Sequence, residues 1–256
     1  MRQVMALAIN TAREAVRNRI LYSILFFAVL MVAVAAVFGA GSIGDQTNYM
    51  KDFSLMSVSL FGVVIAIVLG VNLLHQELGK KTIFNILSKP VARWQFIVGK
   101  FAGLVATLTV IVGLMSAGVI AAFAWATGHV DGGLVVSSFA TLLEIIVVIA
   151  VALFFSSVVV TPSLAGMFTA ATFIAGRSAT YLLYFVTDEH PPILRALAHG
   201  LYWALPRLDR FTIADQVVYG VVPDPDYLVM LTAYSCGYAA ILLVVSVGLF
   251  ARREFV

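Results

Sequence analysis

Six stretches of mostly apolar residues, each long enough to cross a bilayer, limit the folds that this sequence can adopt. A helix that crosses the hydrocarbon core needs about 20 such residues, and within lipid a helix satisfies its own backbone hydrogen bonds. A membrane β-barrel would instead show short segments that alternate between apolar and polar residues. We therefore predict an all-α polytopic membrane protein with six transmembrane helices, at residues 20–40, 53–74, 101–126, 134–155, 164–186 and 227–250.

The composition agrees with this class of protein. Hydrophobic residues make up 62% of the 256 residues and charged residues only 11%, whereas soluble domains carry about 25% charged residues. A soluble core could not bury so much apolar surface beneath a polar exterior. Because the connections are short, we expect residues 1–256 to form a single transmembrane domain. No cleavage site follows the first span closely, so we interpret it as a retained helix.

The positions of the basic residues predict the orientation of the spans. Eleven of the 16 Lys and Arg residues lie before the first span, between spans two and three, or after span six. Cytoplasmic segments of membrane proteins carry an excess of Lys and Arg. We therefore expect both termini to be cytoplasmic, in the plasma (inner) membrane. Since this orientation accounts for the basic charge, we expect no nucleic-acid partner.

Residues 3–18 have the pattern of an amphipathic helix at the membrane interface. Met5, Ile9 and Val16 fall on one face at helical spacing, while Arg13 and Arg17 fall on another. A basic helix with an apolar face suits the cytoplasmic surface of a bilayer. A simple anchor and a moving element are both consistent with this pattern.

The loop between spans two and three predicts a docking element. Ile83, Ile86 and Leu87 form a short apolar stripe, and basic residues lie on another face. Pro90 is expected to end this helix, because the residue before a proline disfavours the α conformation. A loop that only joined two spans could be much shorter. A basic loop that merely fixes the orientation of the spans is the alternative interpretation.

Two charged residues fall within predicted spans. Glu144 lies in span four and Arg177 in span five, and both are expected about 14–15 Å from the outer face, at a rise of 1.5 Å per residue. Charged groups inside a bilayer are costly and are usually paired or functional. We predict an ion pair between them. The alternatives are a substrate or proton site at Glu144, and an Arg177 side chain that extends to the membrane surface.

The sequence contains no sign of catalytic chemistry. Gly79-Lys80-Lys81-Thr82 lacks the preceding glycine of a phosphate-binding loop, and a lysine stands where serine or threonine must follow the first lysine. The four histidines show no metal-ligand spacing, and Cys236 is the single cysteine. We therefore expect a protein that is not itself an enzyme and has no catalytic residue, no metal site and no cofactor of its own.

Three ordered motifs resemble the membrane subunits of ABC-2 type transporters. The first comprises Glu77, Gly79, Thr82, Leu87-Ser88-Lys89-Pro90, Arg93 and Gly99-Lys100. The second is the turn around Thr161-Pro162 and Gly166, and the third is Leu205-Pro206 to Phe211. Within this family the chain is most similar to the permeases grouped with copper-enzyme maturation and gliding.

The resemblance implies a division of roles. Residues 3–18 would be the family's connecting helix, and residues 78–90 would be the coupling helix that fits a groove in the ATPase. A cytoplasmic ABC ATPase subunit would carry ATP and Mg, and a second copy of this chain or a homologous permease would complete the transporter. The residues implied in ATPase coupling are Glu77, Gly79, Lys81, Thr82, Leu87, Ser88, Pro90 and Arg93.

The resemblance also implies short re-entrant helices in an extracytoplasmic region at residues 188–226. Residues 192–205 are too short to span the membrane and too apolar for a free loop, and Tyr202 and Trp203 are typical of a membrane interface. An amphipathic helix that lies on the outer surface explains the same residues.

Three functions are consistent with the sequence. The first is the permease of an ATP-driven exporter of the ABC-2 type. The second is a subunit that transports nothing and transmits ATP-driven motion to a periplasmic or other extracytoplasmic partner. The third is an ion-driven secondary transporter, for which the expected inverted repeats are not evident.

Overall fold

A computed structural model describes residues 2–41, 46–79, 92–182, 184 and 191–252, and every regular element in these ranges is helical. The ten α-helices in this part of the chain are α1 (Arg2–Val16), α2 (Arg19–Gly41), α3 (Gln46–Gly79), α4 (Arg93–Thr127), α5 (Gly132–Val158), α6 (Pro162–Arg177), α7 (Ala179–Leu182), α8 (Pro192–Ala204), α9 (Ala214–Val218) and α10 (Pro225–Arg252). A 3-10 turn, Leu208–Phe211, lies between α8 and α9.

Four of the described helices are long and apolar enough to cross a membrane, judged by length and composition. They comprise Thr47–His75, Arg93–Thr127, Gly132–Val158 and Pro225–Phe250. The first predicted span corresponds to α2, an apolar helix of 23 residues. The fifth corresponds to α6, which has 16 residues and ends at Arg177, a length of about 24 Å at 1.5 Å per residue. Six spans remain a prediction.

Contacts at the helix ends show that α3 and α5 run in the same direction and that α4 and α10 run in opposite directions. Lys51 and Asp131 form an ion pair that joins the start of α3 to the start of α5. At the other end of the bundle, His75 Nε2 lies 3.1 Å from the carbonyl oxygen of Val159, and Arg93 Nη1 donates to the carbonyl oxygen of Phe250 at 3.4 Å. We call these the Asp131 end and the Arg93 end.

The turn between α4 and α5 shows how local sequence reverses the chain, so that these two helices run antiparallel. Gly128 ends α4 with φ of 78°, a left-handed conformation that glycine adopts without a steric penalty. Asp131 then caps α5, because its side chain accepts a hydrogen bond from the backbone N–H of Gly133 at 2.8 Å.

Helix α5 is the centre of the bundle and packs against α3, α4, α6 and α10. Within the most apolar window of each helix, 67% of the residues in α3 and in α5 are buried, but only 17% in α10. Val229, Ile241 and Val244 of α10 are each more than half exposed. An exposed apolar surface of this extent is typical of a helix covered by lipid or by another membrane subunit.

Helix α1 packs closely on the start of α4. A Cβ atom added at Gly103 would lie 2.5 Å from the carbonyl oxygen of Ala8, and one added at Gly99 would lie 2.7 Å from Leu7 Cβ. These two glycines therefore allow the helix backbones to approach one another. The helix predicted at residues 3–18 is thus part of the bundle at its Arg93 end.

The segment after α8 lies over the end of α6. The backbone N–H of Arg207 donates to Tyr234 Oη at 2.9 Å, and the carbonyl oxygen of Pro206 approaches Gly176 so closely that a Cβ there would be 2.4 Å away. Leu208 and Phe211 of the 3-10 turn are buried. This packing places the turn beside Arg177.

Candidate functional site: a charged cavity and a three-helix junction

A charged pair lies inside the bundle where α3, α5 and α6 meet. Arg177 Nη1 is 3.8 Å from Glu144 Oε1. Ser59 Oγ bridges the two residues, because it accepts a hydrogen bond from Arg177 Nη1 at 3.1 Å and donates one to Glu144 Oε2 at 3.2 Å. The structure thus brings the two predicted intramembrane residues together and adds a serine that the sequence interpretation had not singled out.

The two charges differ in their exposure. The side chain of Glu144 is 2% exposed and that of Arg177 is 32% exposed. The guanidinium also lies over the ring of Phe173, 5.7 Å from its centroid, where a cation is attracted to the aromatic face. A buried carboxylate without a partner would be strongly destabilising, so the serine and the arginine are the groups that allow Glu144 to remain inside the protein.

A cavity of about 450 Å³ opens beside this pair. Its volume falls in the range of small-molecule binding sites, roughly 300–1,000 Å³. The cavity is lined by α3, α5, α6 and the segment from the 3-10 turn to α9. The lining residues are Asp52, Leu55, Met56, Ser59, Leu60, Ser137, Thr141, Glu144, Arg177, Phe211, Thr212, Ala214 and Asp215.

Two polar stripes in apolar helices form opposite walls of this cavity. Asp52 and Ser59 are seven residues apart on α3, while Ser137, Thr141 and Glu144 are spaced by four and three residues on α5. Residues at these spacings lie on one face of a helix. The signal was therefore present in the sequence, but interpretation by span length records only how many polar residues a span contains.

The cavity is acidic and retains unused hydrogen-bonding capacity. Three carboxylates, of Asp52, Glu144 and Asp215, face one guanidinium, that of Arg177. Glu144 Oε1 and Thr212 Oγ1 are buried, and neither has a hydrogen-bond partner among the described residues. Buried polar atoms usually have partners, so such exceptions call for an explanation.

Three of the predicted ATPase-coupling residues lie at the Arg93 end, and the other five lie outside the described residues. Lys81, Thr82, Leu87, Ser88 and Pro90 belong to the undescribed segment 80–91. Glu77 and Gly79 are in the last turn of α3, and Arg93 is the first residue of α4. The predicted coupling segment therefore joins the ends of two long helices.

A buried lysine ties three helices together near this segment. Lys100 of α4 is 1% exposed, and its Nζ lies 3.4 Å from Glu14 Oε2 of α1 and 3.5 Å from the carbonyl oxygen of Leu73 in α3. The Gly99-Lys100 motif therefore contributes a close backbone approach and an ionic link. In the sequence this motif contributes only to the family resemblance.

The charged groups at the Asp131 end have a structural role. The hydrogen bond from the Lys51 ammonium to Asp131 holds the pKa of that carboxyl below its ordinary value of 3.8, against the opposing effect of burial. Lys51 Nζ also lies 5.1 Å from the ring centroid of Phe123. In the described parts of the chain, no group of three or more His, Cys, Asp or Glu residues could hold a metal ion.

Comparison with known proteins identifies a family. A family model described as ABC-2 family transporter protein matches residues 16–185, which is more than half of the chain. The match includes α2 to α7, both members of the charged pair, and the whole of segment 80–91. A search of curated proteins finds no match.

Proposed function

The chain belongs to the ABC-2 family of transporter proteins, and from that membership we propose that it is the permease subunit of an ATP-driven exporter in the plasma (inner) membrane. The family match carries this proposal. The ATPase would be a separate cytoplasmic ABC subunit with bound ATP and Mg, since the sequence has no phosphate-binding loop. This chain would supply the membrane helices.

The geometry supports a route from the ATPase to the cavity. Segment 80–91 joins α3 to α4, and Ser59 lies 20 residues before Gly79 in the same uninterrupted helix, which is about 30 Å along its axis. A rigid helix can carry a displacement over such a distance. We propose that closure of the ATPases pushes on residues 78–90 and that α3 transmits the movement to the Glu144–Arg177 pair.

A second permease copy, or a homologous permease, would complete the transporter. The exposed apolar residues of α10 support this proposal, because a partner subunit could cover part of them and lipid the rest.

Charge reversal in the segment tests the coupling. We expect Lys81→Glu combined with Lys89→Glu to abolish ATP hydrolysis that depends on this subunit, because the reversed charges would repel the groove that receives them. The amount of protein in the membrane should not change. Arg195→Glu, at the other end of the bundle, is the control and should leave hydrolysis as it is. Unchanged hydrolysis in the double variant would contradict the docking role of this segment.

Transmission of motion to an extracytoplasmic partner is the second candidate function. It is favoured by α8, on which Ile193, Leu197 and Trp203 are 76%, 59% and 72% exposed, as a partner-binding surface would be. Reconstitution in liposomes separates the two functions. Stimulation of ATP hydrolysis by a transported molecule supports export, whereas stimulation only by an added extracytoplasmic protein supports transmission.

A further inference from the structure

We propose that the cavity beside Glu144 binds a protonated primary amine. The proposal concerns what the cavity recognises. It goes beyond the permease function, because the site could hold a transported molecule or a regulatory one. Three features of the described residues lead to it: the charge of the lining, the free hydrogen-bond acceptors, and the apolar surface next to them.

The charge of the lining selects a cation. Glu144 and Arg177 compensate one another through Ser59, and Asp52 and Asp215 then leave the cavity with a surplus of negative charge. Partly enclosed walls of low dielectric strengthen the attraction for a positive ligand. A carboxylate or phosphate ligand would meet three carboxylates and only one guanidinium, so the same lining disfavours anions.

The free acceptors select a cation with N–H donors. A carboxylate has about four lone-pair positions. Glu144 receives a single hydrogen bond from the described residues, which Ser59 donates to Oε2. Arg177 Nη1 is 3.8 Å from Oε1, which is beyond hydrogen-bonding distance. Thr212 Oγ1 is a second unsatisfied group on the same cavity. An ammonium carries three donors, and its hydrogen bonds to a carboxylate are among the strongest in proteins.

The remaining walls suit a short alkyl chain. Leu55, Met56, Leu60 and Phe211 line the cavity together with the polar residues. Asp52 lies two helical turns from Ser59, about 10 Å along α3. A ligand could therefore place its ammonium at Glu144 and its carbon chain against these apolar side chains. The class that fits is a small aliphatic amine.

Protection of a cysteine in the cavity tests the proposal. The chain in lipid nanodiscs would carry Cys236→Ser, which removes the exposed native cysteine, and Ala214→Cys on the cavity wall, at a position that supplies no side-chain hydrogen bond. A neutral methanethiosulfonate would label the new thiol. We expect n-propylammonium chloride to slow labelling at least roughly three-fold, and tetramethylammonium chloride and sodium propionate to have little effect at equal ionic strength.

Each alternative result overturns the proposal. Equal protection by tetramethylammonium would indicate a site for any cation, and protection by propionate would indicate an anion site. Absence of protection by propylammonium would mean that no amine binds. Val221→Cys, an exposed position outside the cavity lining, is the labelling control and should show no protection with any of the three salts.

Carboxylate variants locate the bound ammonium. Protection should be lost in Glu144→Gln and weakened in Asp52→Asn combined with Asp215→Asn, whose residues are exposed. Asp226→Asn, an exposed acidic residue outside the cavity lining, should retain full protection. Retained protection in both cavity variants would overturn the assignment. Because no ATPase is present, failure here would leave the permease proposal standing.

Discussion

The charges of Glu144 and Arg177 are costly to bury singly, and the structure places the two side chains close enough to compensate one another. Removal of one partner from a buried ion pair costs about 3–5 kcal/mol, because the other charge remains buried without compensation. We expect Glu144→Arg and Arg177→Glu each to reduce the monodisperse, detergent-extracted protein several-fold, and the double exchange to restore most of it. Size-exclusion chromatography of the three variants measures this. A double exchange no better than its parents would contradict the pairing.

Asp131 should make the stability of the protein depend on pH. Lys51 lowers the pKa of this carboxyl in the folded protein below the ordinary value of 3.8. The stabilisation is therefore complete above pH 3.8 and is lost as the pH falls through the lower, folded-state pKa. We expect Asp131→Asn to cost about 2 kcal/mol at pH 7 and to lose less stability than the parent on acidification. Thermal unfolding between pH 6 and pH 3 checks this, with the exposed Asp226→Asn as control. Parallel pH profiles would contradict it.

Residue by residue, the sequence predicted the charged pair better than it predicted the surroundings of the pair. Charge within an apolar span is conspicuous, and the helical rise placed Glu144 and Arg177 at one depth. Ser59 is an ordinary residue in an apolar helix, and its role depends on how α3 packs on α5. Thr212 enters the cavity because a distant segment packs over α6. No local pattern contains such long-range contacts.

Between elements, the packing of α1 on α4 can be tested with a pair of matched glycine variants. We expect Gly103→Val to cost about 1–3 kcal/mol, because a Cβ at this position would meet Ala8 and Thr11 at 2.5 and 2.7 Å. Gly113→Val in the same helix has no neighbour within 4 Å. It imposes the same change of residue type without the clash.

Thermal unfolding and protease cleavage before residue 18 would measure the displacement of α1 in these variants. Gly103→Val should unfold at a lower temperature and be cleaved faster than Gly113→Val. Equal behaviour of the two variants would mean that α1 does not depend on this contact.

The lengths of the helices show what a span-length criterion can and cannot detect. Helix α3 begins at Gln46, before the predicted span at 53–74. The first turns of the helix are polar, so a criterion based on the length of apolar stretches does not detect them. Helix α6 ends at Arg177, although residues 179–186 are more apolar than the helix itself. The segment around Pro206 packs against Gly176 at this point. A contact between distant segments is not encoded in local hydropathy.

In the whole molecule, the two ends of the described bundle have different characters. The Arg93 end holds α1, the end of α10, the Lys100 junction and the two helices that segment 80–91 connects. The cavity lies among the first turns of α3 and α5 and the end of α6, toward the Asp131 end. This separation suits a protein in which one end receives the motion of an ATPase and the other contacts a ligand.

The most direct test of this account is ATP hydrolysis that co-purifies with the chain from native membranes. We expect the tagged full-length chain to retain an ABC ATPase subunit and vanadate-sensitive hydrolysis. A variant with residues 80–91 replaced by a Gly-Ser linker of equal length should reach the membrane in similar amount and lose both. If the parent chain retains no such ATPase, or if the linker variant retains it equally, the permease account with a coupling helix at residues 78–90 is contradicted.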